Sequence, residues 1–294
     1  MRYSFRLGFR GNHRYWCFRL CVRSSATDLA ARRAARASFC QEERSVSTVA
    51  IPGLRWCSIP VWLLIWFLIA RSGVVAPTIL PNLVDVARLL FNELANGHLL
   101  RQGLVTAGRA LAGFALAIPF GVVLGALIAR VRWVDTLLEP ITFITYPIPK
   151  IALFPILIFA FGLGTPSKIA FAFLESFYPI VAATIFAFRT IQVKLIWTAQ
   201  SMGASKIRIL QQVLLPSALP RIFTGMRVAL PVSLLVVIVA EMIGDSRGLG
   251  YYIAEASLMF QTDRVYVGVI AVGVLGSLFD RALLIFRNAV VRGS

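Results

Sequence analysis

The chain has 294 residues, of which 58% are hydrophobic and only 15% charged, with a mean hydropathy of +0.78. Soluble domains average roughly 45–50% apolar and about 25% charged, so a water-soluble globular fold is excluded and the bilayer takes the excess apolar surface. The net charge of +17, from 30 Lys and Arg against 13 Asp and Glu, lies largely in the first fifty residues and between apolar runs; that placement fits loops that orient a membrane protein and argues against nucleic acid.

Residues 1–50 stand apart from residues 51–294, which read as the transmembrane domain. Arg2, Arg6, Arg10 and Arg14 recur every four residues among Tyr3, Phe5, Phe9, Tyr15, Trp16 and Phe18. On a helix this pattern suits an anionic membrane surface, although Gly8 and Gly11 weaken such a helix. No apolar core follows, so this is not an ordinary secretory signal. The segment reads as a disordered or surface-lying tail, or as sequence ahead of a start at Val46 or Val49, and in either case as dispensable to the core function. Cys17, Cys21 and Cys40 lie in it and Cys57 follows it. With His13 they fit no standard zinc spacing, so they read as reduced thiols and no metal is expected.

About six spans follow in chain order. The first runs from Trp56 to about Ala76, with Arg71 near its outer end. Leu83, Val86, Leu89, Leu90 and Leu94 then recur at helical spacing and predict an amphipathic helix outside the bilayer. The second span, about Leu104 to Ala129, is rich in small residues such as Gly113, Gly121 and Gly125, which permit close helix approach. The third, about Leu137 to Gly162, carries Pro140, Pro147, Pro149 and Pro155 and predicts a bent helix with freed carbonyls. The fourth covers about Ile169 to Phe188, the fifth about Phe223 to Ile243, and the sixth about Val265 to Phe286. Arg130, Arg132, Arg189, Lys194, Lys206, Arg208, Arg221, Arg287 and Arg292 fall on the side of the N-terminus, where acids are nearly absent, so both termini are expected in the cytoplasm.

The stretch between the fourth and fifth spans carries the function. Gly203 can end a short helix by taking positive φ, and Ser205 can cap the next. Ile207, Leu210 and Leu214 then share one face, with Lys206, Arg208 and Gln211 elsewhere, and Leu215-Pro216 is expected to stop the helix. Two short helices meeting at a glycine make a cytoplasmic knob with exposed apolar groups and basic edges, suited to docking on a partner.

This stretch resembles the coupling loop of binding-protein-dependent ABC importer permeases, whose pattern is Glu-Ala-Ala, three residues, Gly, then nine residues and Ile-x-Leu-Pro. Thr198 and Ala199 stand at the Ala places, Gly203 at the Gly place, Val213 at the Ile place, and Leu215-Pro216 at the Leu-Pro. Trp197 replaces the Glu, so no charge-pairing role passes to it. The resemblance covers about residues 56–290. It extends to Ala76-Pro77 with Ile79-Leu80-Pro81, Ala107-Gly-Arg109 with Gly113-Phe114, Phe161-Gly-Leu-Gly164, Gly225-Met-Arg227, and Ala240-Glu-Met242 with Gly248-Leu-Gly250. Together these look like the nitrate/sulfonate/taurine/bicarbonate branch.

The resemblance implies an all-α integral membrane protein of the type I importer kind, in the bacterial inner membrane, forming half of a two-fold pore with a second copy of itself. It implies an ATPase-coupling loop including Trp197, Thr198, Ala199, Gly203, Ser205, Lys206, Arg208, Leu215 and Pro216. It further implies a separate ATPase subunit that binds the ATP, and a periplasmic or lipid-anchored binding protein that selects the solute. The residues agree with that division of labour: there are only two histidines, and no Gly-x4-Gly-Lys-Ser/Thr loop or His-Glu-x-x-His is present, so neither an enzyme nor a cofactor site is expected here.

Charges within spans are the remaining candidates, because burial there is expensive. Glu175, mid-way along the fourth span, reads as facing the path, pairing with Arg227, or sitting protonated between helices. Glu241 reads as lining the path or holding the outer loop. Tyr146, beside the bent segment Pro147–Pro155, reads as shaping the pore or packing. A self-contained secondary transporter is the alternative class; it would need internal repeats and coupling-ion sites, and no repeat is evident.

Overall fold

The computed structural model describes residues 54–76, 78–145 and 149–292. Tyr146 and the calls made on residues 1–50 lie outside the described residues. The chain divides into two units, Met1–Leu64 and Ile65–Ser294. Of the first, only the opening of helix α1 (Leu54–Ser72) is described.

The described residues of the second unit form helices joined by short turns. It contains the rest of α1, then α2 (Leu83–Ala95), α3 (His98–Arg130), α4 (Arg132–Thr145), a 3-10 turn (Lys150–Leu153), α5 (Phe154–Phe161) and α6 (Thr165–Arg189). There follow α7 (Val193–Ser201), α8 (Lys206–Ile209), a π turn (Leu210–Leu214), α9 (Leu215–Gly244), α10 (Leu249–Leu258) and α11 (Thr262–Arg292). Among the described residues, four helices are long and apolar enough to cross a membrane: 98–130, 165–189, 207–244 and 262–290. The shortest has 25 residues and so spans about 37 Å, more than the ~30 Å hydrocarbon core.

Two predicted spans differ in detail. The first helix stops at Ser72, and Gly73 takes φ +70°. The third is divided: α4 ends at Thr145, a 3-10 turn intervenes, and α5 restarts at Phe154 with Pro155 in its first turn. Pro149 stands extended before the 3-10 turn, as a residue that lacks an N–H and disfavours helix in the residue before it, whereas the first turn of α5 tolerates Pro155.

Helices α3, α6 and α9 form the centre. Glycines set the spacing, since a Cβ built at Gly113 would lie 2.5 Å from Ala172 Cβ, one at Gly125 would lie 2.6 Å from Thr184 Cβ, and one at Gly225 would overlap Ala183. The matched pairs rise together along α3 and α6, so these helices run parallel. Helix α9 runs the other way, with Gly225 opposite Ala183 and Glu241 opposite Arg109. Ala172, Ile180, Ala229 and Val237 are completely buried along these contacts.

The predicted amphipathic helix is α2. Asn82 caps it by accepting the Val84 N–H at 3.3 Å. Its buried Glu93 accepts from Arg264 at 3.4 Å and lies 2.8 Å from His98 Nδ1, which ties α2 to the starts of α3 and α11.

The spacing rule is testable. Gly225→Leu must push α6 from α9 and is expected to cost about 1–3 kcal/mol. Gly108→Leu, where a Cβ would meet nothing within 4 Å, serves as control. The thermal unfolding midpoint in detergent should fall in the first variant only.

Candidate functional site

The knob forms at the exit of α6. Ile191 is buried there and α7 follows at once. Gly203 ends α7 with φ +78°, its N–H donating to Gln200 O at 2.9 Å while Ala204 N–H donates to Ala199 O at 3.1 Å. This paired closure needs a residue in the left-handed region, which glycine supplies. Ser205 Oγ accepts the Arg208 N–H at 3.4 Å and opens α8.

Exposure then sorts the side chains. Trp197 is 63% exposed, Met202 82% and Ile207 69%, whereas Ile209 and Leu214 are buried. Thr198 and Arg208 are exposed, and Ala199 is partly covered. The expected shared face of Ile207, Leu210 and Leu214 is therefore not what packs. The buried pair is five residues apart because residues 210–214 form a π turn, closed by Leu215 N–H to Leu210 O. Nor does Leu215-Pro216 stop the helix. Pro216 sits in the first turn of α9, where its missing N–H is harmless, and the helix runs on into the membrane.

The base of the knob is clamped. Arg221 on α9 donates to Thr190 Oγ1 at 2.6 Å, joining its two ends, and Arg189 donates to Asp135 on α4 at 2.5 Å. Residues 190–220 contain no carboxylate, so Lys194, Lys206 and Arg208 give the knob an unopposed positive charge.

At the other end of the bundle lies a buried charge network that the sequence only partly disclosed. Glu241, 1% exposed near the end of α9, accepts from Arg109 Nη1 at 2.7 Å, from Thr106 Oγ1 at 2.8 Å and from the Gly250 N–H at 3.0 Å. Asp245 Oδ2 lies 2.7 Å from Arg109 Nη1 and 3.0 Å from Lys168 Nζ. Lys168, fully buried, also donates to the carbonyls of Leu163 and Gly164 at 2.5 and 3.3 Å. Gln102 Oε1 and Thr106 Oγ1 accept the N–H groups of Gly248 and Leu249 at 2.6 and 2.8 Å. The hairpin between α9 and α10 is thus bound to α3 and α6. Gly248, at φ +110°, is required twice over: the backbone is left-handed, and a Cβ would overlap the Glu241 carboxylate. These contacts tie Glu241 to the hairpin between α9 and α10.

The other intramembrane candidates separate. Glu175 does not meet Arg227; its Oε2 lies 3.7 Å from Lys150 Nζ. Arg227 makes a two-pronged pair with Asp280, at 2.7 and 2.9 Å. Sequence reasoning missed Lys150, Lys168 and Asp245. The available signals were a lysine inside a proline-rich apolar run and an acid four residues beyond Glu241.

Burial raises the Asp245 pKa, but the Lys168 hydrogen bond, the Ser246 N–H and the Arg109 and Lys168 charges outweigh it, leaving the carboxyl below its ordinary range. A folded value under the unfolded one contributes stability that is complete above about pH 4 and is lost as pH falls through the folded value. The unfolding midpoint should therefore hold from neutrality to about pH 4 on this account and drop below it, and Asp245→Asn should flatten that acid limb. Removing one partner is harsher: Lys168→Met should cost about 3–5 kcal/mol, part of which Lys168→Met/Asp245→Leu restores. Thermal unfolding of the two variants side by side checks this; equal losses would refute the pairing.

Residues 117–292 match the family described as binding-protein-dependent transport system inner membrane component. Among relatives, a putative aliphatic sulfonates transport permease of Bacillus subtilis is 34% identical over 76% of this chain and 84% of its own length. The taurine transport system permease of Escherichia coli is 29% identical over 77% and 84%. The riboflavin transport system permease of Chloroflexus aurantiacus is 32% identical over 82% and 93%. Among solved structures, an inward-facing MetNI methionine ABC transporter chain shares the fold at a TM-score of 0.53 and 23% identity, over 66% of this chain and 95% of that one. With its spans, its hinged knob and these matches, the chain belongs to the binding-protein-dependent inner membrane permeases of ABC transporters.

Proposed function

We propose that this permease forms half of the pore of an ATP-driven importer for a small polar or anionic solute, of the sulfonate or taurine kind, and that residues 197–216 are its coupling loop. One observation carries the reading: a glycine-hinged knob with exposed Trp197, Met202 and Ile207 is fastened at its base by Arg221 to Thr190. Apolar groups left in water beside cationic edges mark a surface meant for a partner. The partner is a separate ATPase subunit, which binds the nucleotide that this chain has no loop to hold. A second copy of the chain completes the pore, lipid surrounds the pair, and a binding protein outside the membrane supplies the solute.

Charge supports the orientation. The knob and the Arg130, Arg189 and Arg287 helix ends lie at one end of the bundle, and the Glu241 network lies at the other. Basic ends favour the cytoplasm, which supports cytoplasmic termini. Movement of the knob is passed to α6 and α9 as rigid bodies, while the outer network keeps the far hairpin attached to them.

Gly203 separates hinge from bulk. A Cβ there meets nothing within 4 Å, yet the backbone is left-handed. Gly203→Val is therefore strained, whereas Gly203→Asn is tolerated. In proteoliposomes holding the permease, its ATPase and its binding protein, ATP-dependent taurine uptake should fall at least roughly tenfold in the valine variant, a loss of about 1.4 kcal/mol in coupling, and stay near wild type in the asparagine variant. Equal uptake in both would sink the coupling role.

A further inference from the structure

The division of the third predicted span leaves a lysine at mid-membrane depth. Lys150 opens the 3-10 turn after the extended Pro149. Phe154, 1% exposed, fixes the turn against α6 by lying 5.2 Å from the Phe171 ring. Glu175 is ten residues inside α6 from Thr165 and fourteen from Arg189, about 15 and 21 Å from its ends. Lys150 Nζ lies 3.7 Å from its carboxylate and 4.6 Å from the centre of the Tyr178 ring. Glu175 and Tyr178, three apart, share a face of α6.

That face is not built for lipid. Glu175 and Tyr178 stay partly exposed while Ala172, Ser176 and Ile180 on the packed side are fully buried. The Glu175 side chain keeps 16% of its surface open, and a charge open even that far at this depth must meet water or protein, because hydrocarbon cannot solvate it; unwound backbone is tolerated only where protein buries it or a cavity runs past. The ion pair is also loose: a charge-assisted N–H···O contact closes to about 2.7–2.9 Å, whereas this one stands at 3.7 Å.

We infer that Lys150, Glu175 and Tyr178 form a solute station in the translocation path, fitted to a small zwitterion that carries an oxyanion and an amine. Lys150 takes the oxyanion, and Glu175 with the Tyr178 ring face takes the ammonium. The pairing is an exchange: the resident pair is neutral overall and the solute is too, so each charge trades one partner for another and none is left bare. A solute bearing only the anion would strand Glu175 unpaired, which makes the pair a filter against simple anions.

This rests on reading the chain as half of a pore, so the test uses the full chain alone in lipid nanodiscs, with Cys17, Cys21, Cys40 and Cys57 changed to Ser and Ala182→Cys as reporter, at a partly exposed position one turn along the same face of α6. The readout is the ratio of modification rates by an anionic sulfonatoethyl and a cationic trimethylammonioethyl methanethiosulfonate. Lys150→Gln should move the ratio roughly tenfold toward the cationic reagent and Glu175→Gln roughly tenfold toward the anionic one, as one unit charge about 10 Å away demands. The double variant, which leaves no bare charge to disturb folding, should return to the parental ratio. Taurine should slow modification of the parental reporter more than ethanesulfonate at equal concentration. A reporter that neither reagent modifies, a ratio indifferent to both single changes, or equal protection by the two solutes would overturn the proposal. Modification and protection as expected without ATP-driven uptake in the assembled system would instead count against the importer reading and leave the station standing.

Discussion

Arg109 is the side chain on which the end of the bundle opposite the knob depends. Its guanidinium meets Glu241, Asp245, Thr165 and the Arg247 carbonyl at once, in a place where only 6% of the residue is exposed. A planar five-donor group is suited to that task, and a lysine would not replace it. Lys168 adds the second positive charge, so two cations face two carboxylates and the group is neutral as a whole. Such a network contributes little net stability against an apolar substitute, but it is exacting about geometry. Here the geometry is a hairpin held across α3 and α6.

The same rule governs the rest of the bilayer-embedded part. Arg227 is held by Asp280, and Lys150 by Glu175. The three central helices otherwise approach through small residues, because lipid offers no hydrophobic gain for helix association and close van der Waals contact must supply it. Glycines on α3 and α9 therefore decide how near α6 can come, and the charged groups decide how the far hairpin is seated on the result.

Much of this was legible in the residue order. The long apolar helices and the amphipathic α2 follow from hydropathy. The hinge at Gly203 follows from a glycine placed between a helical run and a capping Ser205. The buried charge network was legible only at Glu241, because an acid inside an apolar run stands out, while Lys168, in the first turn of α6, and Asp245, just past α9, lie at helix ends where charges are ordinary and only the fold makes them neighbours. Lys150 was hidden among prolines that drew attention to bending instead of to charge. The π turn had no signature at all: its five-residue spacing matches neither common period, and Leu215-Pro216 read as an end when it is a beginning.

That turn has a consequence for how the knob is aimed. A π turn holds one residue more than the α-helical winding around it, so α8 and α9 are rotated against each other by about 100° relative to an uninterrupted helix. The azimuth at which α8 presents Ile207 is thus set by a single surplus residue between Leu210 and Leu214. Winding or unwinding that one residue would swing the docking face around the axis without breaking the rod that links it to the membrane.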